Sequence, residues 1–170
     1  MKGPRSANSG HNAKSIGRTC REVTWIRICK RRWTKRARAL AEGGIPIGSV
    51  IVHRGRLIGR GHNRRVQKGS AILHGEMDAF ENAGRQPASV YRECVLYTTL
   101  SPCPMCTGAI LLYGIPRVVV GENRTFMGDE SLLRSRGVIV DVIQDPGCIA
   151  LMTDFIASRP ELWNEDIGEP

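Results

Sequence analysis

From residue 47 onward, short apolar runs of strand length alternate with runs of helical period, and this alternation limits the fold more tightly than any other feature. Residues 47–53 and 56–61 are strand-like runs joined at Arg54-Gly55, the pattern of a hairpin. A polar, basic loop over 63–70 follows. Residues 72–83 read as a helix with Met77, Phe80 and Ala83 on its apolar face and Gly84 at its end. Residues 94–100 read as a strand and 103–113 as an amphipathic helix stopped at Gly114. Residues 117–120 form a strand apolar enough for burial on both faces. A short helix over 130–136, a strand over 138–143, a last helix over 147–158 and an acidic, Trp-containing tail complete the pattern. One hairpin followed by this alternation implies an α/β fold: a three-layer α/β/α sandwich around a mixed, mostly parallel five-stranded sheet.

The amino-terminal region is of another kind. Residues 1–38 hold twelve Lys or Arg against a single acid, Glu22, while the whole chain has a net charge of +9, so the remainder is slightly acidic. Residues 1–24 read as a basic, disordered leader and 25–170 as a single domain opening with a helix over 25–41. Three readings of the basic stretch stand side by side. It is a poorly ordered extension, a targeting segment of mitochondrial or nuclear type (KRRWTKRAR, 30–38), or a start foreign to the fold. Apolar runs such as Ile110-Leu111-Leu112-Tyr113 and Val118-Val119-Val120 are too short to span a bilayer, and no secretory block is present. The expectation is a soluble cytoplasmic protein with no membrane partner, with nuclear or mitochondrial placement left open by the leader.

Without a secretory signal, the six cysteines point to metal or redox chemistry rather than a disulfide framework. Only Cys103 and Cys106 are closely spaced, and a lone C-x-x-C is equally a redox pair or two buried thiols. His74 changes the balance. His74, Cys103 and Cys106 mix imidazole nitrogen with thiolate sulfur, as zinc prefers. Cys94 stands at the far end of its strand, about 20 Å of extended chain away, so no fourth protein ligand is in view. Three ligands leave the fourth position of a Zn²⁺ ion to water or hydroxide, which is the catalytic arrangement. Two residues apart on a helix, His74 and Glu76 point about 200° away from one another. They converge only if His74 caps the helix and Glu76 sits in its first turn. Glu76 is then a carboxylate above the open position, able to move protons and assist hydrolytic release of an amine.

The pairing of H-x-E with P-C-x-x-C is the signature of zinc deaminases. From Gly43 to the end, the chain resembles the yeast-type cytosine deaminases of the cytidine and deoxycytidylate deaminase superfamily. The stretches that carry this are EGGIPIG (42–48), GRGHN (59–63), QKGSAILHGE (67–76), LYTTLSPCPMCTGAILLYGIPRVVVGEN (96–123) and RPELWNEDIGE (159–169). The resemblance implies a cytidine-deaminase-like fold, a homodimer, and hydrolysis of cytosine to uracil and ammonia in pyrimidine salvage. It also implies roles. His74, Cys103 and Cys106 would hold zinc and Glu76 would shuttle protons. Asn63 would bind the pyrimidine ring with the backbone of Gly75 and Ser101, Asp166 would meet the amino-group side, and Phe126, Trp163 and Ile167 would form an apolar lid. Plainer readings stay open beside these: Asn63 as a turn residue, Trp163 as a pin for the C-terminus, Phe126 as a loop anchor.

Rival functions differ at the same residues. A tRNA adenosine deaminase shares the zinc signature and suits a basic leader, but Glu161, Glu165, Asp166 and Glu169 would repel a phosphate backbone near the pocket. A guanine or nucleoside deaminase is a third reading. A structural zinc module with a nucleic-acid-binding arm would need a fourth ligand. A small pyrimidine base is the expected partner and nucleic acid is disfavoured.

Overall fold

The computed structural model describes residues 42–170; the leader and the helix expected over 25–41 lie outside the described residues. Five strands form one sheet in the order β2-β1-β3-β4-β5. They are β1 (Gly48–His53), β2 (Arg56–His62), β3 (Cys94–Leu100), β4 (Arg117–Glu122) and β5 (Ile139–Val142). β1 runs antiparallel to both β2 and β3, whereas β3, β4 and β5 are parallel neighbours. Four strands therefore share one direction and β1 alone opposes them, which is the mixed, mostly parallel sheet expected. The β1–β2 turn has positive φ at Arg54 (47°) and Gly55 (80°), the left-handed pair that matches a two-residue hairpin to the twist of its strands.

The helices are α1 (Arg65–Lys68), α2 (Gly75–Ala83), α3 (Ala88–Tyr91), α4 (Pro104–Tyr113), α5 (Glu130–Ser135), α6 (Pro146–Ser158) and α7 (Pro160–Ile167). Register sorts the sheet residues onto two faces. Ser49 and Ile51 lie opposite Thr98 and Leu96, and these in turn opposite Val120 and Val118. With Ala79, Phe80 and Ala83 of α2, Ile110 of α4 and Leu133 of α5, the apolar members of this face form the larger core. The opposite parity carries Gly121, where an added Cβ would lie 2.8 Å from Cys148 Sγ on α6. Helices thus cover both faces. A second apolar cluster joins Ile45, Ile47 and Leu100 to Met152, Phe155 and Trp163.

The elements differ from expectation in four places. The helix expected from residue 72 begins at Gly75, because His74 adopts an extended backbone (φ −62°, ψ 166°) as its cap. Its buried stripe is Glu76, Ala79, Phe80 and Ala83, with Met77 only partly buried. The basic loop contains α1, and residues 88–91 add the short α3. The acidic tail is itself a helix, α7, opened by Pro160 in its first turn and closed by left-handed Gly168 (φ 76°).

Two glycines set how α2 meets the sheet. A Cβ on Gly61 would lie 2.2 Å from the Ala79 nitrogen and 2.3 Å from the Gly75 oxygen. One on Gly59 would lie 2.3 Å from the Ala79 oxygen. The bare backbone of β2 lets α2 lie directly on it, which fixes where the α2 N-terminus projects.

Candidate active site

The amino-terminal ends of α2 and α4 meet beyond the carboxyl end of β3, where open α/β sheets place their sites. His74 caps α2, and Cys103 caps α4 with the same extended geometry (φ −66°, ψ 170°) and Pro104 behind it. Cys106 follows in the first turn of α4, where the positive end of the helix favours thiolate. The convergence expected of His74 and Glu76 is realised by this capped geometry.

The donor atoms of His74, Cys103 and Cys106 all lie within 4.8 Å of one another, and no other such cluster occurs among the described residues. Tetrahedral zinc with bonds of about 2.0–2.3 Å asks for donors roughly 3.3–3.8 Å apart, so the arrangement fits. His74 Nδ1 stands 3.4 Å from Cys103 Sγ, while its Nε2 stands 3.6 Å from Asp166 Oδ1. One ring nitrogen thus faces the sulfurs and the other a carboxylate, as metal-binding histidines are commonly oriented. Cys106 donates to Cys103 and His74 stands beside it, so the Cys103 thiol, though partly buried, is held down to about 4. The same contact and burial push the Cys106 thiol far up. Two sulfurs sharing one proton are a pair from which a soft cation displaces that proton. Burial opposes charge on His74, yet Cys103, Asp166 and Glu76 outweigh it and raise its pKa.

Glu76 is 3% exposed and burial raises its pKa, against the Thr98 hydroxyl, which donates to Oε1 and favours the carboxylate. Its other oxygen, Oε2, lies 3.4 Å from Cys106 Sγ. A narrow cavity of about 20 Å³ adjoins these groups. It is walled by His74, Glu76, Ser101 and Cys103 on one side and Phe126, Trp163, Asp166 and Ile167 on the other. The Phe126 and Trp163 rings meet edge to face with centroids 5.8 Å apart.

Eight of the expected site residues therefore share one chamber, and Cys106 and Gly75 are buried in the first turns of α4 and α2. Asn63 does not line that chamber. It is fully buried, its Oδ1 accepting from the Arg65 N–H at 3.1 Å and its Nδ2 donating to both Asp166 oxygens at 2.9 and 3.1 Å. Arg65 donates to Asp166 at 3.0 Å and pairs with Glu165 at 2.6 Å, so Asn63 and Arg65 tie α7 over the site. Sequence reading passed over Arg65, which lay in a stretch taken for loop; its offset of two from Asn63 was the available signal. Glu130 was also missed. It is buried and accepts from Ser101 Oγ at 2.9 Å, Asn123 Nδ2 at 3.0 Å and Arg134 at 2.9 Å, which holds the Ser101 wall.

Residues 10–122 match the family model for the cytidine and deoxycytidylate deaminase zinc-binding region, and the chain belongs to that family. It is 59% identical to the cytosine deaminase of Candida albicans over 133 residues, covering 78% of this chain and 89% of that protein. A tRNA-specific adenosine deaminase of Streptococcus pyogenes is 44% identical over 98 residues, 56% of this chain and 61% of that one. Among solved structures, a guanine deaminase from Nitrosomonas europaea shares the fold with a TM-score of 0.59. It is 23% identical, over 88% of this chain and all of that one. The yeast-type resemblance read from the motifs is thereby supported, and zinc is the metal named for the family. No helix among the described residues is long and apolar enough to cross a membrane.

Proposed function

We propose that this protein hydrolyses cytosine to uracil and ammonia, with His74, Cys103 and Cys106 holding one zinc ion and Glu76 carrying protons. The observation that carries this reading is α7, which brings Trp163, Asp166 and Ile167 against the same cavity as His74, Glu76 and Cys103. A chamber closed by the chain's own apolar side chains suits a small free base better than a base attached to a polynucleotide. The 59% identity to the Candida cytosine deaminase extends over most of that protein's length and supports the same choice.

When bound, zinc supplies a water activated at neutral pH and a Lewis-acid pole for the reacting carbon. Glu76 Oε2 takes the proton released as water adds to C4 and delivers it to N3. It then takes the remaining proton of the new C4 hydroxyl and gives it to the departing amino nitrogen as the C4 carbonyl forms. Ammonia and uracil balance the cytosine and water consumed. Asp166, held by Asn63 and Arg65, accepts a hydrogen bond from the exocyclic amino group. Ser101 and the Gly75 backbone border the ring, and Phe126, Trp163 and Ile167 exclude bulk water. Asn63 acts on the base through Asp166 in the closed geometry. Pyrimidine salvage, in the cytoplasm, is the role that this reaction would serve. Leu112, 79% exposed beside Tyr113 on α4, offers an apolar surface for a homodimer, whereas Ile110 is spent in the core.

The test is ammonia release from cytosine, cytidine, guanine and tRNA, with Glu76→Gln as control. Release from cytosine by the native protein, abolished in the zinc-loaded variant, is expected. Release from tRNA alone overturns the substrate, and full activity of Glu76→Gln overturns the role of Glu76.

A further inference from the structure

In the middle of the α2-facing side of the sheet, a pair of hydroxyls stands among apolar neighbours such as Ile51, Leu96, Val118 and Val120. Ser49 on β1 and Thr98 on β3 stand opposite each other in register, 3% and 0% exposed, where β-branched apolar residues would pack as well. Ser49 Oγ donates to Thr98 Oγ1 at 2.9 Å, and Thr98 donates to Glu76 Oε1. A hydroxyl has one proton and two lone pairs; the Glu76 carboxylate can only accept, so the Thr98 proton goes to Glu76 and Thr98 in turn accepts from Ser49. Burying two hydroxyls costs free energy unless each is bonded, and here the bonds run in one direction toward the carboxylate.

We propose that Thr98, backed by Ser49, is a positioning residue that anchors Glu76 through Oε1 and so reserves Oε2 as the oxygen that carries the proton. With Oε1 held as an acceptor, the carboxylate plane is fixed by a strand in the middle of the sheet rather than by the end of a helix. Oε2, beside Cys106, is the oxygen left facing the metal-donor set. Once the Cys106 thiol has given up its proton to metal binding, it has none to share with Oε2. The inference rests on the proton-carrying role of Glu76.

Thr98→Val keeps shape and β propensity while removing the donor. The expected result is a fall in kcat of about 10²-fold, the scale of a mispositioned catalytic group. KM for cytosine should stay within about twofold, zinc stoichiometry at wild type, and binding of uracil unchanged by calorimetry. Thr98→Ser, which restores the hydroxyl, should recover most of kcat, and Ser49→Ala should show a smaller loss. In isotope-edited infrared spectra, the carboxylate band assigned to Glu76 by its absence in Glu76→Gln should shift in Thr98→Val. If Glu76→Gln is inactive while Thr98→Val keeps wild-type kcat and an unshifted band, this inference falls and the proposed function stands. If Thr98→Ser is as impaired as Thr98→Val, the hydroxyl is not the cause and the inference also falls. An active Glu76→Gln removes the reading on which it rests.

Discussion

Adding one methyl group at Gly61 drives it into the backbone of α2. The new Cβ would stand 2.2 Å from the Ala79 nitrogen, 2.3 Å from the Gly75 oxygen and 2.6 Å from the Asp78 carbonyl carbon. Ordinary contact begins near 3.5 Å, so α2 must retreat by about 1 Å, and no flexible side chain is available to give way instead. Such overpacking costs about 1–3 kcal/mol. For a domain of this size that lowers Tm by roughly 2–12 °C. The retreat also withdraws His74 and Glu76, which begin α2, from Cys103 and Cys106, which begin α4. Gly61→Ala should therefore lose zinc affinity and kcat together with stability, read by differential scanning calorimetry, metal analysis and ammonia release. Gly108 is the matched control: it is exposed on α4 with nothing within 4 Å of an added Cβ. Gly108→Ala should be neutral or raise stability by about 0.5–1 kcal/mol. Wild-type Tm and zinc content in Gly61→Ala would refute the packing argument.

Chelation of the metal should lower Tm and re-addition of zinc restore it, because ligand binding to the native state alone stabilises by mass action; at 100-fold saturation this amounts to about 2.7 kcal/mol. A calorimetric trace indifferent to chelator would contradict the donor cluster as a binding site. Cys94, buried and beside the Glu93 carboxylate, has its thiol pushed up to about 11. Only about one molecule in a thousand is then thiolate at pH 8, so iodoacetamide should spare Cys94 in the folded protein and modify it on unfolding, by peptide mass spectrometry. Labelling of Cys94 at equal rates in both states would contradict its burial.

The half of the candidate site built on the two helix starts was legible because its spacing is local. The two cysteines stand three positions apart and His74 and Glu76 two, and each pair is placed by a single helix start. The strand pattern was legible for the same reason, each run being bounded by its own glycines and polar residues. What escaped depends on partners far apart in the chain. Arg65 and Asp166 meet across 101 residues, and nothing around either residue announces the other. α7 went unread as a helix although Pro160 and Gly168 bracket it, since Glu161, Glu165 and Asp166 made its one buried side look like an acidic tail. Thr98 reads simply as a good strand former, and its hydroxyl acquires meaning only once α2 lies over it. The glycines of GRGHN carried the resemblance without revealing that two of them set a helix against a strand.

The chamber is assembled from two stretches with separable duties. Among the described residues the candidate metal donors lie between residues 74 and 106, whereas Trp163, Asp166 and Ile167 come from one eight-residue helix fastened by Asn63 and Arg65. A chain cut before Pro160 would keep its reactive apparatus while losing most of what tells one ring from another. Redrawing that short segment is therefore the economical route by which a scaffold like this one changes its diet without relearning its chemistry.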